Sequence, residues 1–286
     1  MPPVNDISEL RLRYETQGFV HLKNVIPSVT LTRARNAFNS AIEKTSGARQ
    51  EITATGKTLR FFDIPNILDH DPVFVELVDL PSIFPLLVEA VGSDIHLNHT
   101  IARLFYPGPT FTSAWHSDIP QVLGIEHTAG KSLLVKAHFF VEDLTPDQGC
   151  LAFIPGSHHY PAYHPAPKIQ NIDPSEAIVK TVPCAGDVIL FNTHVLHMAT
   201  DNRSNQVRKS IIYAYAHYWM KNYPSAVPSD LKRYAKTAQR KQLFGIDIEG
   251  MQHFDRRLDG SVSTPSRGNL SESSRRILRR FLKREK

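Results

Sequence analysis

Two side chains that can ligate a metal stand two positions apart in the segment Trp115-His116-Ser117-Asp118. On an extended strand, residues at i and i+2 point to the same side, about 6.5 Å apart at the backbone. His116 and Asp118 could therefore hold one cation between them, provided that a third ligand comes from elsewhere in the chain. A single histidine is a weak signal here, because the chain contains 14 of them.

Candidates for the third ligand are His194 and His197, which close a hydrophobic stretch that begins at Gly186-Asp187. Two histidines and one carboxylate on one face of a metal form the ligand set of non-haem Fe(II) oxygenases. Hydrolytic zinc sites use the same ligand types. Arg208, eleven residues after His197, favours iron. Its guanidinium can clamp the distal carboxylate of a dicarboxylate co-substrate through two parallel hydrogen bonds.

These segments lie in a region of short strand-like runs separated by turn residues. The predicted strands are Asp94–Tyr106, Leu133–Leu144, Cys150–Ile154, Ala177–Val182, Asp187–Asn192 and Lys209–Tyr218. Turn residues separate them at Pro107-Gly108, Gly149, Pro155-Gly156 and Gly186-Asp187. A succession of short strands and turns of this kind predicts a β-sandwich or jelly roll.

The part of the chain before residue 94 has a mainly helical pattern. A short strand is predicted at Gly18–Leu22, and one helix runs from Pro27-Ser28 through Ala41. A second helix is predicted from Pro81 to Gly92, and the polar stretch from 49 to 65 predicts a loop. Helices followed by a β core predict an α+β fold that is mainly β, with the N-terminal helices packed against one sheet.

Charge is distributed unevenly along the 286 residues, whose net charge is +5. The last 20 residues carry eight basic and two acidic side chains, so the rest of the chain is nearly neutral. We expect residues 1–260 to form a single domain with a β core at about 94–220, and 261–286 to form a linker and basic tail. The sequence contains no run of about 18 to 20 apolar residues, which a membrane-spanning helix would need. The first residues do not show the pattern of a signal peptide, so we expect a cytoplasmic protein.

The basic tail has its own amphipathic pattern. In Arg275–Lys286 four apolar residues share one helical stripe: Ile277, Leu278, Phe281 and Leu282. Such a helix is expected to contact an anionic surface or to pack on the body of its own domain. The oligomeric state stays open, with a homodimer among the options.

Further motifs accompany the candidate ligands. In chain order they are Tyr14–Ile26, Asp143–His158, Gly186-Asp187, Asn202-Arg203-Ser204 and Arg240–Gly245. Together with the ligand segments, they resemble the phytanoyl-CoA hydroxylase group of Fe(II)/2-oxoglutarate dioxygenases. That group also contains ectoine hydroxylase and many tailoring enzymes of natural-product pathways. The resemblance covers most of the chain before the basic tail, and it implies a double-stranded β-helix, which is a form of jelly roll.

The resemblance also implies roles for individual residues. His116, Asp118 and His197 would ligate iron, and Arg208 would bind the C5 carboxylate of 2-oxoglutarate. His194 is rejected, because no arginine stands eleven positions after it. The implied cofactors are Fe(II), 2-oxoglutarate and O₂.

Three positions depart from the pattern of the family. Many relatives place a serine two residues after the distal histidine to help hold 2-oxoglutarate, but this chain has Ala199 there, with Thr200 beside it. A tryptophan is common where this chain has His138, and a lysine is common where it has Tyr106. The resemblance implies that His138 and Tyr106 face the cofactor pocket, and Thr200 stands beside the position of the missing serine. All three are predicted to contribute to 2-oxoglutarate binding beside Arg208.

The activity implied is oxidation, by default hydroxylation, of an unactivated C–H bond in a small metabolite of natural-product or secondary metabolism. Succinate and CO₂ would be the co-products. An acyl-CoA hydroxylase and a non-catalytic module that binds 2-oxoglutarate or metal remain as alternatives. Residues predicted to lie near the substrate are Gln121, Lys57, Arg60, Phe61, Phe62 and Trp219.

Overall fold

A computed structural model describes residues 7–56, 58–109, 115–118, 132–159 and 178–246, with two short backbone segments at 255–256 and 262–263. The helices within these ranges are α1 (Ile7–Gln17), α2 (Ser28–Lys44), α3 (Ser46–Ala54), α4 (Pro72–Glu76), α5 (Phe84–Val91), α6 (Leu231–Tyr234) and α7 (Ala238–Leu243). The strands are β1 (Phe19–Leu22), β2 (Phe61–Ile64), β3 (Ile95–Phe105), β4 (Leu134–Phe139), β5 (Leu151–Phe153), β6 (Val179–Lys180), β7 (Val188–Asn192), β8 (His197–Ala199), β9 (Arg208–His217), β10 (Asp255–Arg256) and β11 (Val262–Ser263).

The larger sheet is antiparallel and has the strand order β1-β7-β4-β9-β3-β2. Strand β9 lies near its centre, between β4 and β3. Two tyrosines of β9 point to the helical side, where Tyr213 donates a hydrogen bond to the carbonyl of Phe74 and Tyr215 donates one to that of Val78, each at 2.7 Å. Because side chains alternate along a strand, Arg208, Ser210 and the other even-numbered residues of β9 face the opposite side.

The helical side of this sheet is covered by the N-terminal helices. One face of α2 is buried through its small residues and one phenylalanine, namely Ala34, Ala37, Phe38 and Ala41. Helix α5 buries six of its eight residues, and Pro85 stands in its first turn, where a missing N–H costs nothing. The predicted helices and their packing against one sheet are confirmed, although α5 begins three residues later than predicted.

A smaller sheet, with the order β6-β5-β8, covers the other side. Nine buried residues form the apolar cluster between the sheets: Phe19, Phe140, Leu144, Cys150, Leu151, Phe153, Ile189, Phe191 and Val195. Two antiparallel sheets packed over such a cluster form the jelly roll that the turn spacing predicted. The candidate chemistry lies in this same space, on the side of the larger sheet away from the helices.

The loop predicted from 49 to 65 is wrong in part. It contains most of α3 and the whole of β2, which pairs with β3 from Phe61↔Phe105 to Ile64↔Ala102. Helix α3 buries none of its residues, so it leaves no apolar stripe in the sequence. Strand β8 was not predicted, because three residues are too few to show an alternating pattern.

Two expectations concern the ends of the chain and membranes. The predicted tail helix falls in Arg275–Lys286, outside the described residues. Among the helices that the structure describes, none is long and apolar enough to cross a membrane.

The turn before β7 is held by a buried carboxylate. One oxygen of Asp187 accepts from the N–H of Asn24 at 2.8 Å, and the other accepts from the N–H of Cys184 at 2.9 Å. His21 Nε2 lies 2.8 Å from the same carboxylate. Burial alone would raise the pKa of Asp187, but the hydrogen bonds from His21 and the two backbone groups lower it below its ordinary value.

We expect the substitution Asp187→Ala to lower the free energy of unfolding by about 2 kcal/mol, because buried donors left without a partner cost roughly 1 to 3 kcal/mol. The folded-state pKa is the lower one, so this contribution is complete above about pH 4 and is lost as the pH falls through the folded value. Urea unfolding at pH 7 and in acid tests both points. Equal unfolding midpoints at pH 7, or a gap between the two proteins that widens in acid, would contradict the assignment.

Candidate metal centre

Backbone hydrogen bonds bring the segment around His116 against the start of β8. The N–H of His116 donates to the carbonyl of His197 at 3.2 Å, and the N–H of His197 donates back at 2.9 Å. A third backbone bond joins the same two segments: the N–H of Asp118 donates to the carbonyl of Thr193 at 2.8 Å. These bonds join two segments about 80 residues apart in sequence, so the positions of the candidate ligands are set by main-chain geometry.

Three ligand-type side chains converge at this point. Single donor atoms of His116, Asp118 and His197 all lie within 4.8 Å of one another. Asp118 Oδ1 is 4.0 Å from His116 Nε2, and Asp118 Oδ2 is 3.6 Å from His197 Nε2. No other group of three or more histidine, cysteine or carboxylate ligands is found in the part of the chain that the structure describes.

The environment of His197 prepares one of its nitrogens for a metal. Its Nδ1 lies 2.8 Å from the carbonyl of Val195, an acceptor that requires the proton to be on Nδ1. The Nε2 lone pair is then left facing Asp118 and His116. Burial lowers the pKa of His197 to about 4 despite the opposing charge of Asp118, so the ring is neutral at physiological pH and can act as a ligand.

His194 has a different environment from His197. Its backbone N–H and its Nδ1 both lie 3.0 Å from Oδ1 of Asn192. The side chain is buried, but it is not part of the group of converging ligand atoms. The structure therefore places His197, and not His194, beside the His116–Asp118 pair.

The donor set of the three side chains fits one divalent transition metal ion. Nitrogen and oxygen ligands bind such ions at about 2.0 to 2.2 Å, so two donors on the same ion are at most about 4.4 Å apart. The two distances from the Asp118 oxygens, 3.6 and 4.0 Å, fall inside this limit. Two imidazoles and one carboxylate are also the donor types that iron(II) takes in non-haem sites.

Arg208 is a buried cation on the inner face of the larger sheet. Only 3% of the residue is exposed, and its guanidinium lies 4.7 Å from the ring centre of Phe105. One terminal nitrogen donates to the carbonyl of Gly149. Burial and the nearby charge of Arg103 lower the pKa of Arg208 to about 10, so it is still charged at neutral pH. Such a charge is costly without a counter-ion.

Three buried polar atoms near Arg208 have no hydrogen-bond partner within the described ranges: Arg208 Nε, Ser210 Oγ and His138 Nδ1. Ser210 is two residues after Arg208 on β9, and His138 pairs in register with Ile212 on the same strand. All three side chains therefore share the inner face of the larger sheet. Native proteins rarely leave buried donors unpaired, so the three atoms fit a polar ligand with a carboxylate, as 2-oxoglutarate has.

The other two residues predicted to help bind 2-oxoglutarate are placed differently. Thr200 lies just beyond β8, and its hydroxyl donates to the carbonyl of Cys150 at 3.1 Å. Tyr106 follows Phe105 in sequence and packs against the helix-side core, so it is on the side of the sheet away from Arg208. The structure therefore brings His138 to the Arg208 side but does not bring Tyr106 there.

The residues predicted to lie near the substrate are divided in the same way. Phe61 faces the inner side of the sheet, where its ring lies 4.7 Å from the guanidinium carbon of Arg103. Phe62 is buried in the helix-side core. The carbonyl of Arg60 accepts from the N–H of Tyr106. Trp219 is 57% exposed and stacks on His217, while Gln121 and Lys57 fall outside the described residues.

The sequence reasoning missed several charged groups on the inner face. Lys136 on β4 lies 2.9 Å from Asp118 Oδ2. Arg103 on β3 forms a bidentate pair with Asp63 on β2, at 2.6 and 2.7 Å. Lys136 and Ser210 could have been found from strand alternation, since they stand two residues before His138 and two after Arg208. Asp63 could not, because its strand was predicted as a loop.

Neighbouring side chains keep the carboxyl group of Asp118 ionised. Burial alone would raise its pKa, but the ammonium of Lys136 and the two histidines lower the pKa of Asp118 below its ordinary value. Burial lowers the pKa of His138 well below its usual range, with Lys136 and Arg208 adding to the effect. At neutral pH the site thus holds an ionised carboxylate, neutral His138 and His197, and two nearby cations.

Comparisons with known proteins identify a family. The family model "Phytanoyl-CoA dioxygenase (PhyH)" matches residues 14–210. A probable phytanoyl-CoA dioxygenase of Caenorhabditis elegans is 26% identical over 73% of this chain and 75% of its own length. The L-proline trans-4-hydroxylase of Streptomyces griseoviridis is 21% identical, over 72% and 85%.

A solved structure shares the fold. It is the epimerase SnoN, determined in complex with Fe³⁺, alpha-ketoglutarate and nogalamycin RO. It superposes with a TM-score of 0.54 at 20% sequence identity, covering 77% of this chain and 87% of that one.

Proposed function

The chain belongs to the phytanoyl-CoA dioxygenase family of iron- and 2-oxoglutarate-dependent oxygenases, and from that membership we propose that it hydroxylates an unactivated C–H bond of a small-molecule metabolite. The observation that carries the proposal is the joint presence of the His116, Asp118 and His197 cluster and the buried Arg208 on one face of the jelly roll. Either part alone could be structural. Together they supply a metal site and a site for a dicarboxylate.

In this proposal His116, Asp118 and His197 would be the protein ligands of Fe(II). The hydrogen bond from His197 Nδ1 to Val195 fixes the tautomer of that ligand. The paired backbone bonds between His116 and His197 hold their two segments together, and the ring centres of the two imidazoles are 4.4 Å apart. When bound, iron and 2-oxoglutarate would allow O₂ to oxidise a C–H bond of the substrate, with succinate and CO₂ as co-products.

Arg208 binds the distal carboxylate of 2-oxoglutarate in a charge-assisted pair. Its Nε is the donor left without a partner in the described part of the chain, while one terminal nitrogen is held by Gly149. The Ser210 hydroxyl is the second donor, and it takes the place of the serine that many relatives carry two residues after the distal histidine. Neutral His138 lines the pocket beside both.

Aromatic side chains restrict water around the ligands. The ring of His197 lies 4.8 Å from that of Phe191 and 6.2 Å from that of Phe153, and both phenylalanines are buried. The opposite side is more open, since the side chains of His116 and Asp118 are 24% and 21% exposed. The substrate is expected to approach from this open side.

The relatives are divided over the substrate. One is a probable phytanoyl-CoA dioxygenase and another is an L-proline trans-4-hydroxylase. The nearly neutral composition of residues 1–266 supports a small molecule of secondary metabolism over an acyl-CoA, whose several phosphates would call for a basic surface. A cytoplasmic location is part of the same proposal.

A cofactor titration followed by substrate profiling tests the proposed function. Anaerobic Fe(II) and 2-oxoglutarate should give a visible charge-transfer band with the protein, and succinate should form in air faster when a true substrate is present. Amino acids, small carboxylated metabolites and acyl-CoAs should be compared in the succinate assay. Absence of the band in metal-loaded protein would overturn the assignment, and stimulation by acyl-CoAs alone would replace the small-metabolite substrate with an acyl-CoA.

We expect Ser210→Ala to weaken 2-oxoglutarate binding about tenfold, because a hydrogen bond to a charged group contributes about 1.5 to 3 kcal/mol. The matched control is Thr200→Val, which removes the hydroxyl that the family pattern favoured and keeps the side-chain shape. It should leave the affinity within about twofold, because the Thr200 hydroxyl already donates to Cys150. Titration of the charge-transfer band measures both. A loss confined to Thr200→Val would return the role to Thr200.

A further inference from the structure

Lys136 places a positive charge inside the proposed active site that neither the metal nor 2-oxoglutarate requires. It lies on β4, two residues before His138, and its neighbours in register are Phe191 on β7 and Ala214 on β9. Its side chain is 24% exposed, so it borders the open side of the pocket. In the described part of the chain, its ion-pair partner is Asp118, at 2.9 Å.

Cofactor binding would weaken the ion pair between Lys136 and Asp118. Once the carboxylate of Asp118 is a ligand of a divalent ion, the ammonium of Lys136 faces a larger positive charge across the same oxygens. A lysine side chain is a flexible stem that carries a compact, strongly hydrated charge. It is therefore expected to turn towards the open side of the pocket and to need another anion there.

A count of formal charges points the same way. Asp118 contributes one negative charge, Lys136 and Arg208 one positive charge each, the metal two positive charges and 2-oxoglutarate two negative charges. Arg103 adds nothing, because both of its parallel hydrogen bonds go to the carboxylate of Asp63. Counted over the described residues, the metal and 2-oxoglutarate, the loaded site is left with one net positive charge, and Lys136, which carries it, borders the open side of the pocket.

We propose that Lys136 binds a carboxylate of the substrate and so selects carboxylate-bearing small molecules for oxidation. The inference rests on the proposed function and adds the chemical class of the substrate. One residual positive charge is balanced by a single carboxylate. A phosphate ester carries close to two negative charges at neutral pH and would leave the site with a negative excess.

The neighbouring side chains supply the remaining walls of this subsite. His99, on the same face of β3, packs its ring 4.7 Å from that of Tyr223, and burial and the charge of Lys136 lower the pKa of His99. A carboxylate on Lys136 would therefore belong to a molecule whose apolar part is bordered by aromatic rings, with its C–H bonds directed to the metal side.

Matched pairs of ligands on the anaerobic Fe(II)·2-oxoglutarate protein test the proposal. The probes are L-proline with L-prolinamide, cyclohexanecarboxylate with its carboxamide, and hexanoate with hexanamide, with methylphosphonate as the phosphate-like probe. Binding is read from the shift of the charge-transfer band and by calorimetry. We expect the wild-type protein to bind at least one carboxylate about tenfold more tightly than its amide.

The substitution Lys136→Met should abolish this preference while the affinities for Fe(II) and 2-oxoglutarate stay within about threefold of the wild type. Lys136→Arg should keep part of it. The control is Lys209→Met, which removes the same charge from a lysine that pairs with Glu142 at 2.7 Å. Because Lys209 is next to Arg208 in β9, it points away from the pocket, and its loss should leave the preference unchanged.

Each other result overturns the proposal in a recognisable way. If Lys136→Met weakens Fe(II) or 2-oxoglutarate binding more than about tenfold, the lysine positions Asp118 and does not select the substrate. If no carboxylate is preferred in the wild type, if the preference survives in Lys136→Met, or if methylphosphonate binds best, the carboxylate subsite is wrong. A missing charge-transfer band would instead overturn the proposed function itself.

Discussion

Replacing His197 with alanine is expected to weaken Fe(II) binding by more than about 100-fold and to leave no measurable 2-oxoglutarate decarboxylation. The substitution removes one of three ligands, and even the loss of a residue that only supports a ligand commonly costs 10- to 100-fold in metal affinity. The remaining pair, His116 and Asp118, lies on the more exposed side of the site. Calorimetry with Fe(II) or Co(II) under anaerobic conditions measures the change in affinity, and succinate formation measures turnover.

The neighbouring histidine offers a closely matched control. His194 is also buried and lies three residues earlier in the same turn, but its ring is directed to Asn192. We expect His194→Ala to keep metal affinity within about threefold, whatever it does to thermal stability. Loss of binding in His194→Ala with retention in His197→Ala would reverse the ligand assignment. Circular dichroism of both variants separates a lost ligand from an unfolded protein.

The converging candidate ligands could be predicted from sequence because their positions are local or follow a strong pattern. His116 and Asp118 are two residues apart, and His197 follows a hydrophobic strand that ends at Asn192. Arg208 and Ser210 share a face because they alternate on one strand. The two reciprocal backbone hydrogen bonds between His116 and His197 could not be predicted from the sequence, because they depend on contacts across the whole jelly roll.

Tyr106 shows how a single residue of register changes a prediction. Strand β3 pairs with β9 in a continuous register from His99 to Phe105, after an irregularity between Leu97 and His99. Such an irregularity shifts which residues of a strand face each side. Phe105 consequently faces Arg208, and its successor Tyr106 packs on the helical side. Motif alignment gives the position of a residue in the chain, but the side it faces depends on this irregularity.

Lys136, Arg103 and Asp63 were missed for a related reason. Their importance lies in the pairing of β2, β3 and β4 with strands distant in sequence, which places three charged residues on one inner face. In the sequence they are ordinary charged residues within or near strand-like runs. The strand pairing brings Arg103 and Asp63 together, and their side chains form an ion pair. The side chain of Lys136 instead contacts Asp118, a candidate metal ligand.

Replacing Arg208 with methionine is expected to raise the dissociation constant of 2-oxoglutarate roughly 30-fold or more, with the Fe(II) affinity little changed. Removing one member of a buried, hydrogen-bonded charge pair typically costs about 2 to 5 kcal/mol. The ligand 2-oxovalerate, which has a methyl group in place of the distal carboxylate, isolates the interaction. The wild type should prefer 2-oxoglutarate over 2-oxovalerate by about the same factor, and the variant should show little preference. An undiminished preference would show that the distal carboxylate binds elsewhere.

The stability of the same variant gives an independent test. In the protein without ligand, Arg208 is a buried cation whose pKa is lowered to about 10, so folding opposes its charged form. Arg208→Met removes that cost together with the bond to Gly149 and the stacking on Phe105. It should therefore destabilise the free protein less than an ordinary buried truncation. Adding 2-oxoglutarate to the metal-loaded proteins, at a concentration that saturates only the wild type, should raise the melting temperature of the wild type and leave that of the variant nearly unchanged, because a ligand stabilises the folded state only where it binds.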